Sequence, residues 1–141
     1  MGRKASREEA MKLIYQLEIQ KEDRDEQISS VLQNNDFNSK DKVFILDVVN
    51  GVFNNQSLID NKIAGCSKGW KIGRISRVDL AILRLSIYEM LFREDIPMNV
   101  SINEAIELAK KFSGQDAGAF INGVLGKIAQ LVDLPQKDHK L

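Results

Sequence analysis

Apolar residues return every three or four positions along most of this chain, the period of helices that pack by one face. Ser6 is expected to cap a first helix, with Glu8 and Glu9 in its first turn, where the macrodipole favours acids. Ala10, Ile14 and Leu17 then share a face, with Met11 and Leu13 beside it. The polar stretch Asp23 to Asn35 keeps a short apolar set in Ile28, Val31 and Leu32, and "NNDFNS" reads as a loop. Ser39 can open a further helix in which Val43, Leu46, Val49 and Phe53 recur at helical spacing. The segment "VFILDVV" alone would also suit a strand; the longer period favours the helix. Leu58, Ile59 and Ile63 continue the pattern, and Gly65 and Gly69 bracket a connector.

Two capping-box-like pairs follow. Ser76 and Asp79 precede "LAILRLSIYEMLF", which is apolar on almost every face and so predicts a buried central helix ending near "REDIP". Ser101 and Glu104 precede Ile102, Ala105, Ile106, Leu108, Ala109 and Phe112, with Lys110 and Lys111 in the last turn and Gly114 beyond it. Asp116 is expected to cap a last helix carrying Phe120, Ile121, Val124, Leu125 and Ile128. That helix holds Gly118, Gly123 and Gly126, each at a helix-propensity cost of ~1 kcal/mol. Close docking against a neighbour would explain Gly123, and Gly118 falls in the first turn, where the cost is small. The sum is an all-α chain of six to seven helices in a single domain, residues 1–141, with a flexible basic arm at 1–5 and a frayed tail at 135–141.

Composition narrows the chemistry. With 43% hydrophobic and 28% charged residues, the chain suits one soluble domain. The 20 basic and 20 acidic residues cancel, so only local clustering can point to nucleic acid. One cysteine, Cys66, excludes an internal disulfide framework and suits a reducing compartment, and no apolar run reaches membrane-spanning length. A cytoplasmic location is expected. Catalytic candidates are weak. His139 stands alone in the tail, and Cys66 has no CxxC partner and fits packing better than nucleophilic or metal chemistry. Glu104 and Glu107 are followed a turn later by Lys110 and Lys111, the mark of a solvated charged face. No Walker loop, GxGxxG or GxSxG occurs. No enzyme, cofactor or metal is expected.

Three features suit nucleic acid. Arg3, Lys4 and Arg7 precede any acid and could lie along a phosphate backbone, or form an ordinary charged terminus. Lys68, Lys71, Arg74 and Arg77 surround Trp70, which could stack a base or plug the core edge. Phe120, four residues after Asp116, could stack a base at a helix start or belong to the core.

The quoted elements carry a resemblance. "INEAIELAKKF", then Asp116, Phe120 and "NGVLGKI", is similar to the C-terminal signature of the NusB family of bacterial transcription antitermination factors. "RKASREEAMKLIYQLE" resembles that family's basic first helix and "RVDLAILRLSIYEM" its central helix. The resemblance spans nearly the whole chain. It implies two packed helical subbundles and no catalysis. It implies binding of boxA single-stranded RNA from ribosomal RNA operons, together with the ribosomal protein NusE, on the RNA polymerase elongation complex with other Nus factors. It implies RNA contacts from Arg3, Lys4, Arg7, Asp116 and Phe120, and NusE contacts near Tyr15 and Asp79. Ala5 and Ser6 interrupt an arginine run that is denser in the family. Alternatives are a protein-interaction module that meets RNA only through its partner, or a self-associating form, including a homodimer, that hides the RNA surface. A fragment of an RsmB-type RNA methyltransferase is disfavoured, because the chain stops where a catalytic domain would begin and carries no cofactor motif.

Overall fold

The structure of the chain, a computed structural model, describes residues 2–34, 36–67, 69 and 71–132. Lys68, Trp70, His139 and the 135–141 tail lie outside the described residues. Seven α-helices are present among them: α1 (Arg3–Ile19), α2 (Arg24–Leu32), α3 (Ser39–Asn54), α4 (Gln56–Cys66), α5 (Arg77–Phe92), α6 (Met98–Phe112) and α7 (Ala117–Leu131). A single 3-10 turn, Ile72–Arg74, leads into α5.

α5 is the axis of the fold, and its sequence explains why. Every residue from Leu80 to Met90 is buried, as an all-round apolar helix requires. It packs on α1 and α3 on one side and on α4, α6 and α7 on the other, giving two subbundles that share one core. Two charges are carried inside α5. Arg84 is held by Asp60 and Glu18, and Glu89 by Arg7 and Ser101. Buried charge is tolerated only when paired and hydrogen-bonded in this way.

Local chemistry sets the helix starts, in several cases not the chemistry expected. α3 opens at Ser39, as expected, and Asn38 caps it in a full capping box with Asp41. Ser76 accepts from the Asp79 N–H at the start of α5, as the sequence suggests. Ser6 does not cap α1. The helix begins at Arg3, and Ser6 lies inside it, fully buried, its hydroxyl donating to the Gly2 carbonyl. Residues 3–5 of the expected flexible arm are therefore the first turn of a helix. Ser101 likewise sits inside α6, which begins after Pro97; a proline fixes φ and needs no N–H partner there. Asp116 occupies the cap position of α7 but makes no cap hydrogen bond.

The buried face of α3 also differs from expectation. Phe44, Ile45, Val48, Val49 and Val52 point inward, whereas Val43 and Leu46 are exposed. Among the glycines, Gly123 is exposed, and a Cβ there would meet nothing within 4 Å, so close docking does not explain it. Of the three glycines in α7, Gly118 is the buried one, where a Cβ would lie 3.4 Å from Ile106 of α6. The position that does demand glycine is Gly51, where a Cβ would fall inside the Tyr88 ring.

Candidate nucleic-acid interface

The order of elements brings two separate stretches, 74–79 and 116–120, together at the N-terminal end of α5. The 3-10 turn and the residue after it supply Arg74 and Ile75, the α5 start supplies Ser76 and Asp79, and the α7 start supplies Asp116, Ala117 and Phe120. Together they line a cleft of about 310 Å³. Phe120 is half-buried, its base packed against the core. Asp116 and Arg74 are exposed at the rim. Asp79 has one carboxylate oxygen, Oδ1, that is buried and accepts no hydrogen bond within the protein. A buried acceptor without a donor costs about 1–3 kcal/mol, so this oxygen marks where an incoming donor would be rewarded. Arg74 also joins the second basic stretch to the aromatic, a link that separation in sequence conceals.

The amino-terminal basic residues lie elsewhere and do three different things. Arg7 corrects the sequence reading: it is only 5% exposed, its Nε donates to Glu89 Oε2 at 2.8 Å, and Glu104 lies 3.9 Å away. That guanidinium holds the core together and is not free to meet phosphate. Arg3 is exposed and rests 4.2 Å above the Phe44 ring. Lys4 is exposed and reaches Glu104 at 3.5 Å. An exposed pair of this kind is worth ≤ ~1 kcal/mol and yields easily to a phosphate. Arg3 belongs to the C-terminal end of α5, where Arg93 also lies over Phe44. The 16 residues of α5 rise about 24 Å, so Arg3 and Phe120 stand toward opposite ends of that helix.

Exposed lysines occupy the surface between. Lys12 and Lys111 flank the Phe112 ring, and both pair with Glu8. Hydrogen bonding from Lys111 holds the Glu8 carboxyl below its ordinary value. The Lys110 side chain packs beside Gly118 at the start of α7. Sequence spacing alone gave no reason to join these residues to the site. They come together because Glu8 and Lys12 of α1 reach Lys111 and Phe112 at the end of α6, while α7 packs on α6. Tyr15 is partly buried against the core on α1, away from the residues lining the Phe120 cleft. Cys66 is buried at the end of α4, and no group of three or more potential metal ligands exists among the described residues.

The sequence model of the NusB family matches residues 4–130. The transcription antitermination protein NusB of Acetivibrio thermocellus is 63% identical over 131 residues, covering 93% of this chain and 90% of that protein. A crystal form of T. maritima NusB superposes with a TM-score of 0.89 at 35% identity, covering 99% of this chain and 98% of that one. A crystal structure of the antitermination factors NusB and NusE in complex with double-stranded RNA superposes with a TM-score of 0.82 at 25% identity, covering 92% and 97%.

Proposed function

The chain belongs to the NusB family, and from that membership we propose that it is a transcription antitermination factor. It is an RNA-binding regulator rather than an enzyme, and it works with NusE on nascent RNA at the elongating polymerase, in the cytoplasm. No helix among its described residues is long and apolar enough to cross a membrane, in keeping with that setting.

The observation that carries the reading is the convergence of Arg74, Asp79, Asp116 and Phe120 on one cleft. An unpaired base of boxA RNA stacks on Phe120, an interaction worth ~1–3 kcal/mol. Asp116 accepts hydrogen bonds from a base edge. Arg74 meets a flanking phosphate, the task the sequence reading gave to Arg7. Lys4, Lys12, Lys110 and Lys111 carry the backbone across the intervening surface. The unpartnered oxygen of Asp79 supports a contact from NusE, because a donor from a docking protein would satisfy it. RNA and partner would then adjoin at one cleft, with Tyr15 further along the partner surface.

The burial of Arg7 favours a second reading, in which this chain meets RNA weakly alone and firmly only beside NusE. Titration of boxA RNA separates the two, first with the isolated protein and then with the NusE complex, at two salt concentrations. Direct binding by the isolated protein that weakens with salt supports the first reading. Binding that appears only with NusE supports the second.

A further inference from the structure

α6 ends on Phe112, and lysines from two different helices meet over its ring. The ammonium nitrogens of Lys12 and Lys111 lie 5.5 and 5.3 Å from the ring centroid. Glu8 holds both. Its Oε2 lies 3.4 Å from Lys12 Nζ and its Oε1 2.7 Å from Lys111 Nζ. One oxygen for each lysine is also what the two free oxygens of a phosphodiester present. The two lysine side chains are 48% and 62% exposed, so these bonds exchange readily with another anion. The Phe112 ring is half-buried, its base packed against the core. Lys110, two residues before Phe112, packs beside Gly118, two residues before Phe120. Two half-buried rings therefore flank the turn between α6 and α7, which passes through Gly114 at a φ of 132°.

We propose that Phe112, Lys12 and Lys111 form a second nucleotide subsite, in which a base stacks on the Phe112 ring and its phosphate takes the place that Glu8 holds in the free protein. This rests on the RNA-binding reading above and deepens it. As the lysines turn from the ring to the phosphate, they uncover the apolar face on which the base settles. Glu8 then competes with RNA for the same two cations, so it sets the affinity below what the lysines alone would give. The subsite accepts any base, because every base has a π-face. It adds grip beside the Phe120 cleft without adding sequence preference.

The probes are boxA oligonucleotides that each lack one base, the abasic position being moved along the strand. Binding is measured with the NusE complex, which binds RNA under either reading above. In the parent protein, loss of a stacked base is expected to weaken binding about 5- to 150-fold. Phe112→Leu keeps the apolar packing and removes the ring. It is expected to make one such position indifferent to base removal, and Phe120→Leu to do so at a different position. Each comparison is made within one variant, so a loss of stability affects intact and abasic strands alike. Glu8→Gln is expected to raise affinity for intact boxA about 2- to 5-fold. If Phe112→Leu leaves every position as sensitive as in the parent, the subsite is overturned. Unchanged or lower affinity for Glu8→Gln would overturn the phosphate position, because the carboxylate would then only orient the lysines. If Phe120→Leu abolishes sensitivity at its position while Phe112→Leu does nothing, only the subsite fails. If neither substitution changes any position, the RNA reading fails with it.

Discussion

The two ends of α5 carry similar residue types to different ends. At the C-terminal end Arg7, Glu89 and Ser101 are buried and bonded to one another, and Arg93 is clamped between Asp47 and Asp95. Tyr88 donates to Asp47 there, and burial, with that bond, pushes its phenol up to about 12. At the N-terminal end Phe120 is half-exposed, Asp116 makes no cap bond and one oxygen of Asp79 has no partner. An arginine, an acid and an aromatic appear at both ends. What separates structure from candidate function is whether each group's bonding capacity is already satisfied inside the fold.

The sharpest test of that contrast is Arg7→Met. Taking the cation from buried Glu89 is expected to cost about 3–5 kcal/mol of stability, read by urea denaturation. Any RNA defect should follow the loss of folded protein. A full-stability variant with lost RNA binding would reverse the assignment of Arg7. Next comes Phe120→Leu, which keeps apolar packing but removes the ring. It should weaken boxA binding by about 1–3 kcal/mol while changing stability less than Arg7→Met does. Fluorescence anisotropy at fixed salt checks it.

Asp79→Ala removes a buried acceptor that nothing in the free protein satisfies. Stability should hold or rise by about 1 kcal/mol, while NusE binding, measured by calorimetry, should weaken. A clear loss of stability would mean that Asp79 belongs with the structural end. Gly123→Ala has open space around it and is expected to stabilise α7 by ~0.5–1 kcal/mol in a thermal melt, with RNA binding unchanged. A loss of RNA affinity instead would put the backbone at Gly123 in the interface.

The smallest effect concerns acid. Arg93 holds the Asp95 carboxyl below its ordinary 3.8, and Lys111 holds Glu8 below its ordinary 4.5. Folded values below unfolded ones add stability that is complete above those ordinary values. It is lost as the pH falls through the lower folded ones. Stability followed from pH 6 downward should stay flat until the carboxylate range and then decline. Asp95→Asn should remove a small part of that decline.

Much of this was legible in the residues. The apolar surround of "LAILRLSIYEMLF" required a buried central helix, and the three-to-four spacing elsewhere required helices packed around it, because an apolar stripe must find another. Phe120 and Asp116 were visible as a pair, being one turn apart on one element. Arg7 was misread because a positive charge near a chain end looks alike whether it faces water or a glutamate 82 positions away. Ser6 and Ser101 were misread as caps for the same reason: each hydroxyl found its partner inside the fold.

Local sequence determined the helices, six to seven in number, and the identity of the central one, since the apolar period acts within a few residues. Tertiary structure alone decided which charges were neutralised, that Arg74 would join Phe120, and that Arg3 would stand at the far end of α5. Those outcomes depend on contacts between residues distant in the chain, and a carboxylate can hold an arginine wherever packing brings the two together.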